Sequence, residues 1–458
     1  KRVAIIEPSE GSPAAEAGLQ AGDIIMEING KDMAQGDRTP NELTSYVSDN
    51  LRGDPGTTCV LKLERPTADS TYIPMELKIT RGTIRTNPVP YYGMVDKNIG
   101  YIAISTFAIE GCSKDIKKAL IELKQQGATS IVLDLRGNGG GLLSEAVNVV
   151  NFFVPKGKEI VVTKGKIKQA GSTYKTSNEP IDMEIPLTVL VDGATASAAE
   201  IVSGSLQDLD RAVIVGNRTY GKGLVQVPRE LPYNSSMKVT TAKYYIPSGR
   251  CIQAIDYAKR NADGSVARIP DSLTTVFHTA AGREVRDGGG IRPDVEVKAE
   301  RFPNIMFYLL NDDMIFDYAT QYCIKHPNIG EVKDFSVTDA DYDDFKQMLK
   351  KRNFTYDRQS EKSLKNLKEI AEFEGYMEGA SEEFAALEKK LTHNLDHELN
   401  RFSKQIRKAI AEEIVKRHYF QRGVILERMK DDADLTKAIE TLKDKEGYTK
   451  ILSVPADK

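Results

Sequence analysis

Two short apolar runs, each cut off by a turn of small residues and followed by a helix pattern, restrict this chain more than anything else in it. TSIVLDL (129–135) runs into the glycine-rich RGNGGG (136–141) and then into a helical stretch at 142–153. PLTVLVD (186–192) runs into a turn of small residues and a helix at 197–209. A strand that is apolar throughout must be covered on both faces, as in a parallel sheet flanked by helices. Ahead of these runs, GYIAISTF (100–107) reads as a further strand and 112–126 as an amphipathic helix. The alternation predicts an α/β core of layered β-sheet and helices over residues 98–298.

At 458 residues the chain exceeds one core, and roughly 150 residues per domain suggests about three. Residues 1–82 read as a small α+β domain. It has strands at 3–8 and 23–30, the latter ending in an Asn-Gly turn, a short helix at 12–18, and strands at 58–65 and 72–81. A second helix at 41–51 has Asn41 as its expected N-cap. Residues 83–97, with two prolines, read as a linker. From 299 to 458 charged residues crowd together and apolar ones recur at helical spacing. The stripe Phe384, Leu387, Leu391, Leu395, Leu399, Phe402, Ile406, Ile410 and Ile414 predicts one long amphipathic helix in an α-helical C-terminal region.

Bulk properties exclude several classes. With 63 basic and 66 acidic side chains the net charge is −3, which gives nucleic acid or an anionic membrane no electrostatic hold. The apolar stretches fall short of the ~20 residues that span a bilayer. No signal peptide is visible at Lys1, as a processed or trimmed chain would also show. The cysteines Cys59, Cys112, Cys251 and Cys323 stand far apart, and neither free thiols nor disulfides can be chosen between.

Candidate chemistry emerges by removing decoys. Of the histidines, only His278 falls within the α/β region, so a Ser-His-Asp triad there has a single possible base. His393 and His397 are spaced as two metal ligands on a helix would be, but Asn394 stands where a metalloprotease needs glutamate. A solvated helix face is the expected reading, with no metal. GNRTYGKG (216–223) approaches a phosphate-binding loop, yet Gly223 replaces the Ser or Thr that holds Mg²⁺ and a strand pattern follows. SSMK (235–238) lies in a strand-like run, where residues three apart face opposite ways.

Ser197 remains, in DGATASAAE (192–200), between a buried strand and a helix. There the free N–H groups of the first turn, Ala198 among them, and the positive helix end can stabilise an oxyanion. The plainer reading is a serine that only caps its helix. A nucleophilic serine needs a base. If 222–227 is a strand, Lys222, Leu224 and Gln226 share one face, and Gln226 can aim the Lys222 amine. Lysine is a base only when neutral, so such a site must lower its pKa from ~10.4 towards 7–8 by desolvation.

GYIAISTF, DLRGNGGG, TASAAE, YGKGLVQ, YYIPSGRCIQ (244–253) and GGIRPDVEV (289–297) stand in the order seen in the carboxyl-terminal processing peptidases, or tail-specific proteases, which this chain resembles over residues 1–298. SPAAEAGLQAGDIIMEING (12–30) is similar to the PDZ domain of that family, without its first strand and carboxylate-binding loop. The resemblance implies a Ser–Lys serine endopeptidase. Ser197 would be the nucleophile, Lys222 the general base and Gln226 the residue that orients it. The N–H groups of Ala198 and of a glycine in RGNGGG, Gly140, would form the oxyanion hole. It further implies polypeptide substrates with free C-terminal tails, no cofactor, an exported bacterial protein of the periplasm or cell envelope, and assembly through the C-terminal helices.

Two other readings compete. A pseudo-enzyme scaffold would have no need of Ser197, Lys222 and Gln226 together. An acyl-CoA hydratase or isomerase shares glycine-rich oxyanion turns but has no use for a PDZ domain. Casein cleavage, no reaction, or activity on a thioester alone separates the three.

Overall fold

The computed structural model describes residues 2–453 except 35, 70, 167–170, 234, 261–265, 299, 301 and 392–393. The chain divides into two compact units, one of residues 1–84 with 300–430 and one of residues 85–299 with 431–458.

In the second unit, the strands that frame the site are β1 Tyr91–Asp96, β2 Ile99–Ala103, β3 Ser130–Asp134, β4 Glu159–Lys164, β5 Ser172–Lys175, β6 Leu187–Val191, β7 Val213–Gly216, β8 Leu224–Leu231, β9 Ser235–Tyr245 and β10 Val295–Glu296. Its helices are α1 Cys112–Gln125, α2 Leu143–Asn151, α3 Ala198–Asp208, α4 Ala433–Lys443 and α5 Lys445–Ile451. A six-stranded sheet runs β10-β7-β6-β3-β2-β1. It is parallel except where β1 pairs antiparallel with β2. Every residue of β3 and β6 is buried, as their apolar runs require. A four-stranded antiparallel sheet, β5-β4-β9-β8, carries β8 on its edge.

Two segments behave differently from their sequence pattern. Residues 83–97, read as a linker, supply β1, whose residues are all partly buried against β2. Residues 431–458, read as the end of the helical region, belong to the second unit. The hydroxyl of Tyr448 in α5 bonds the N–H (2.9 Å) and carbonyl (3.1 Å) of Leu187 in β6, and Lys443 in α4 pairs with Asp96 at 2.6 Å.

In the first unit, strands Ile24–Ile28, Thr58–Pro66 and Tyr72–Thr80 pair antiparallel, with helix Pro40–Leu51 over a core that includes Ile28, Leu43, Val47, Leu61 and Leu63. The cap of that helix is Thr39, not Asn41. Thr39 and Glu42 form a reciprocal capping box, and Pro40 takes the first helical position, where its missing N–H costs nothing. The helices of residues 304–429 enclose a separate core that includes Leu309, Phe345, Leu399, Ile406 and Ile414.

The stripe from Phe384 to Ile414 is divided among three helices, Met377–Leu391, Leu395–Arg401 and Ser403–Met429. Asn394 restarts the helix by accepting the His397 N–H on its side chain at 3.0 Å, a local bond that competes with helix continuation. At Phe402 the backbone (φ −104°, ψ 19°) leaves the helical region.

Helix α3 ends in a buried ion pair. Asp208 meets Arg250 at 2.8 Å, with 0% and 1% of their side chains exposed. The Ser248 N–H donates to the other Asp208 oxygen at 3.0 Å, and Arg250 also reaches Gln207 Oε1 at 2.8 Å. Burial pushes the Asp208 carboxyl up from its ordinary value, and the Arg250 charge opposes this. Arg250→Ala leaves a buried carboxylate alone and should cost about 3–5 kcal/mol at neutral pH. The raised group favours its protonated form in the fold, so the deficit should shrink as pH falls through that raised value and be smallest near the unfolded carboxylate value of about 4. Urea unfolding at pH 7 and pH 4 checks both the size and the sign.

Candidate active site

Two turns meet at the carboxyl ends of β3 and β6, the edge where open α/β sheets place their ligands. In the first turn, Gly140 has φ of 96° and no room for a side chain. A Cβ there would lie 2.7 Å from the Ala196 carbonyl oxygen and from Ser197 Cβ, and 2.8 Å from Ala198 N. The glycine turn therefore sits directly on Ser197.

Hydrogen bonds bolt the turns together. Asp192 Oδ1 accepts the N–H groups of Ala194 (3.0 Å), Thr195 (2.9 Å) and, from the other turn, Gly137 (3.1 Å). Thr195 Oγ1 lies 2.9 Å from the Leu135 carbonyl. The Ala196 N–H donates to the Asn138 carbonyl at 2.9 Å, and Asn138 Nδ2 donates to the Ile104 carbonyl at 2.8 Å.

Ser197 precedes α3 with φ 57° and ψ −118°. An ordinary N-cap is extended, as Ser12 (φ −82°, ψ 155°) and Thr39 (φ −63°, ψ 160°) are in this chain. Ser197 takes instead the dihedrals of the first central residue of a type II′ turn, where glycine is usual. Such strain costs on the order of 1–3 kcal/mol and persists only where the surroundings over-determine it. A strained strand-to-helix turn is how a nucleophilic serine is lifted clear of its sheet. A merely capping serine has no need of it. Ala198, the first residue of α3, has no acceptor within the helix for its N–H.

Lys222 stands two residues before β8. Lys222, Leu224 and Gln226 line one cleft of about 580 Å³ with Gly139, Ala196 and Tyr257. His278, the histidine a triad would have needed, is exposed on a hairpin, Val276–His278 with Glu284–Arg286, and does not line this cleft. His397 is largely exposed and His393 lies outside the described residues.

Two residues given no role in the sequence hold Ser197 and Lys222 together. Glu200, fully buried, accepts the N–H groups of Ser197 (2.8 Å), Gly221 (2.7 Å) and Lys222 (2.9 Å) and the Thr219 hydroxyl (2.5 Å). Burial pushes its carboxyl up from the ordinary value, against the pull of those four donors. The buried Tyr244 hydroxyl donates to the Lys222 carbonyl and lies 3.3 Å from the Ser197 carbonyl. Glu200 did leave a sequence signal, since it stands three residues after Ser197, at the N3 position of a capping box. Nothing local marks Tyr244.

The three candidate side chains are not joined to one another. Among the described residues no hydrogen bond joins Ser197 Oγ to Lys222 Nζ. Gln226 Nε2 points instead to Thr240 Oγ1 at 3.4 Å, beside an irregularity in the β8–β9 register at Val225/Gln226. Catalytic hydrogen bonds are often loose before substrate binds. The Gly140 N–H, expected to serve an oxyanion, donates to Asn138 Oδ1 at 2.9 Å, and the neighbouring Gly139 is the glycine of this turn that borders the cleft.

Residues 98–259 match the model of "Peptidase family S41", residues 5–65 that of a PDZ domain, and residues 305–442 that of "Probable PDZ-protease, C-terminal helical domain". A carboxy-terminal-processing protease of Bartonella bacilliformis is 38% identical over 259 residues, covering 55% of this chain and 56% of that protein. A carboxyl-terminal-processing protease of Picosynechococcus sp. is 39% identical over 246 residues, covering 53% of this chain and 56% of that protein. The solved structure of a photosystem II D1 C-terminal processing protease covers 66% of this chain and 70% of its own, with 30% identity and a TM-score of 0.36. The chain spans just over half the length of the curated relatives it matches. The family models thus identify a segment of peptidase family S41 and a PDZ segment in one chain. Residues 98–259 are those of peptidase family S41, and over about half its length the chain is similar to carboxyl-terminal processing proteases.

The Glu200 carboxylate should not tolerate an amide. Glu200→Gln turns an NH₂ group towards backbone donors and should lower stability by about 1–3 kcal/mol. Urea unfolding measures it, and an unchanged midpoint would contradict the tie.

Proposed function

We propose that the chain is an endopeptidase that cleaves extended or disordered polypeptides near their C-termini, with Ser197 as nucleophile and Lys222 as general base. The observation that carries this reading is the single carboxylate of Glu200 gripping the backbones of both residues, while the Lys222 side chain shares a cleft with the turn that bears Ser197. Neutral Lys222 takes the Ser197 proton as Oγ attacks the scissile carbonyl, then returns it to the leaving amine. The developing oxyanion is held by the Ala198 N–H at the positive end of α3 and by the glycine turn facing it. Gln226 aims the amine after turning from Thr240. We further place it among the exported proteins of the bacterial envelope, the two relatives named above being bacterial. The exposed stripe Leu367, Ile370 and Phe373 is suited to assembly through the C-terminal helices.

Cleavage of casein tests the reading. Ser197→Ala and Lys222→Ala should each abolish it with circular dichroism unchanged, Gln226→Ala should weaken it less, and EDTA should have no effect. Lys222→Arg should be inactive, because a guanidinium stays protonated at any workable pH. Full turnover by Lys222→Ala would end the mechanism.

Ser197 and Lys222 without a side-chain bond between them, and Gln226 turned to Thr240, favour a second element, a gate set by the PDZ domain. Ligands would add as a strand beside helix Pro40–Leu51, whose exposed side chains choose among C-termini. A tether would only raise local substrate concentration. Because residues 1–84 and 300–430 form one unit, deleting the PDZ domain would strip its partner helices. The better test adds a free C-terminal peptide and follows a short reporter substrate. Gating predicts a rise in kcat at saturating reporter, whereas no change in kcat leaves a passive tether.

A further inference from the structure

Arg136 is the first residue of the glycine turn, and more carboxylate surrounds it than its charge requires. Nε and Nη2 contact Asp134 at 2.6–3.1 Å. Nη2 and Nη1 grip both oxygens of Asp432 at 2.7 and 2.9 Å, and Nη1 also reaches Asp434 at 3.1 Å. Asp134 is further held by the Tyr101 hydroxyl at 2.6 Å. One guanidinium thus faces three carboxylates, with 22%, 9%, 8% and 19% of the Arg136, Asp134, Asp432 and Asp434 side chains exposed. Asp134 alone would neutralise Arg136, and surplus buried negative charge is costly.

What the surplus supplies is geometry. Asp134 holds one edge of the guanidinium and Asp432 another, so the planar group can neither rotate nor slide. The turn that follows is bonded to Asp192 and, through Asn138, within itself, but its backbone is permissive, since Gly137, Gly140 and Gly141 all have positive φ, and its start is fixed by Arg136. Its far end lies on Ser197 and on Ala198 N.

We propose that Asp432 and Asp434 are positioning residues for the catalytic turn, acting through Arg136. The segment 431–458 is thereby a working part of the peptidase unit and not a trailing end of the helical region. The segment is itself anchored. Asp432 caps α4 through the Leu435 N–H at 2.9 Å, and Tyr448 and Lys443 fasten α4 and α5 to β6 and to Asp96. The inference rests on the proposed peptidase activity, because a turn has a catalytic position only if Ser197 is the nucleophile.

The test compares the wild type with Asp432→Asn/Asp434→Asn and with Asp434→Asn alone. Asparagine keeps size and an acceptor but removes the charge. Each protein is assayed for kcat and KM on a short peptide, and for the rate at which a fluorophosphonate probe labels Ser197. The double variant should lose about tenfold or more in kcat and in labelling rate, as misplacement of a reacting group does. KM should stay within about twofold, since substrate contacts are untouched. The single variant should lose less, and Asp432→Glu/Asp434→Glu should recover part of the loss. Wild-type cleavage with unchanged kcat in the double variant overturns the positioning role and leaves the peptidase reading standing. A wild type that neither cleaves nor is labelled overturns that reading instead. If the double variant does not fold, the single one decides: a folded Asp434→Asn with undiminished kcat and labelling overturns the proposal.

Discussion

One buried carboxylate sets the distance between the two ends of this site. Glu200 takes hydrogen bonds from the backbone N–H groups of Ser197, Gly221 and Lys222. All three donors are main-chain groups, so the carboxylate fixes where the chain passes and not merely where a side chain lies. Ser197 belongs to a helix start on the parallel sheet, and Lys222 to the run-in of an edge strand on the antiparallel sheet. Apolar packing is non-directional and could let the two layers slide. A carboxylate with its donors saturated cannot slide without leaving buried groups unpaired. Tyr244 closes the same joint from the carbonyl side.

The strain at Ser197 follows from this arrangement. A non-glycine residue at φ 57° and ψ −118° would relax if its neighbours allowed it. The Ser197 N–H is held by Glu200, the preceding Ala196 N–H by Asn138, and the space a relaxed backbone would sweep is closed by Gly140. The packing that leaves no room for a Cβ on Gly140 thus keeps the Ser197 backbone in its strained conformation. That close approach also explains why the Gly140 N–H is turned inward to Asn138 and why Gly139, one residue earlier, borders the cleft.

Legibility in the sequence tracked how local each cause was. The strand–turn–helix units that carry RGNGGG and DGATAS could be read because a doubly buried strand has no polar face and a glycine turn has its own composition. The common face of Lys222, Leu224 and Gln226 followed from strand alternation, although β8 begins only at Leu224. The cap lies at Thr39, two positions before the expected Asn41, because both are capping residue types and Pro40 between them suits the first helical position. The long helical stripe was broken by the Asn394 side chain, which periodicity does not count. Nothing local reveals that Asp432 meets Arg136, since 296 positions separate them. Gln226 is the intermediate case. Its face was legible, but its hydrogen bond to Thr240 depends on a register irregularity that no pattern announces.

The same helix that begins at Ser197 ends at Asp208, and buried charge holds both ends. An acidic residue in the last turn opposes the helix dipole, so Asp208 is misplaced as a helix residue taken alone. Arg250 supplies the compensating charge from the chain that follows β9, within IPSGRC, and Ser248 supplies an N–H. At the opposite end Glu200 sits in the first turn, where the dipole favours it. Replacing either cluster with apolar side chains of similar volume could leave stability equal or higher. It would also leave α3 free to shift along its axis, and an axial shift moves Ser197 relative to Lys222. For the proposed nucleophile and base, carried on different sheets, a ruler of directional bonds would serve catalysis where extra apolar area would not.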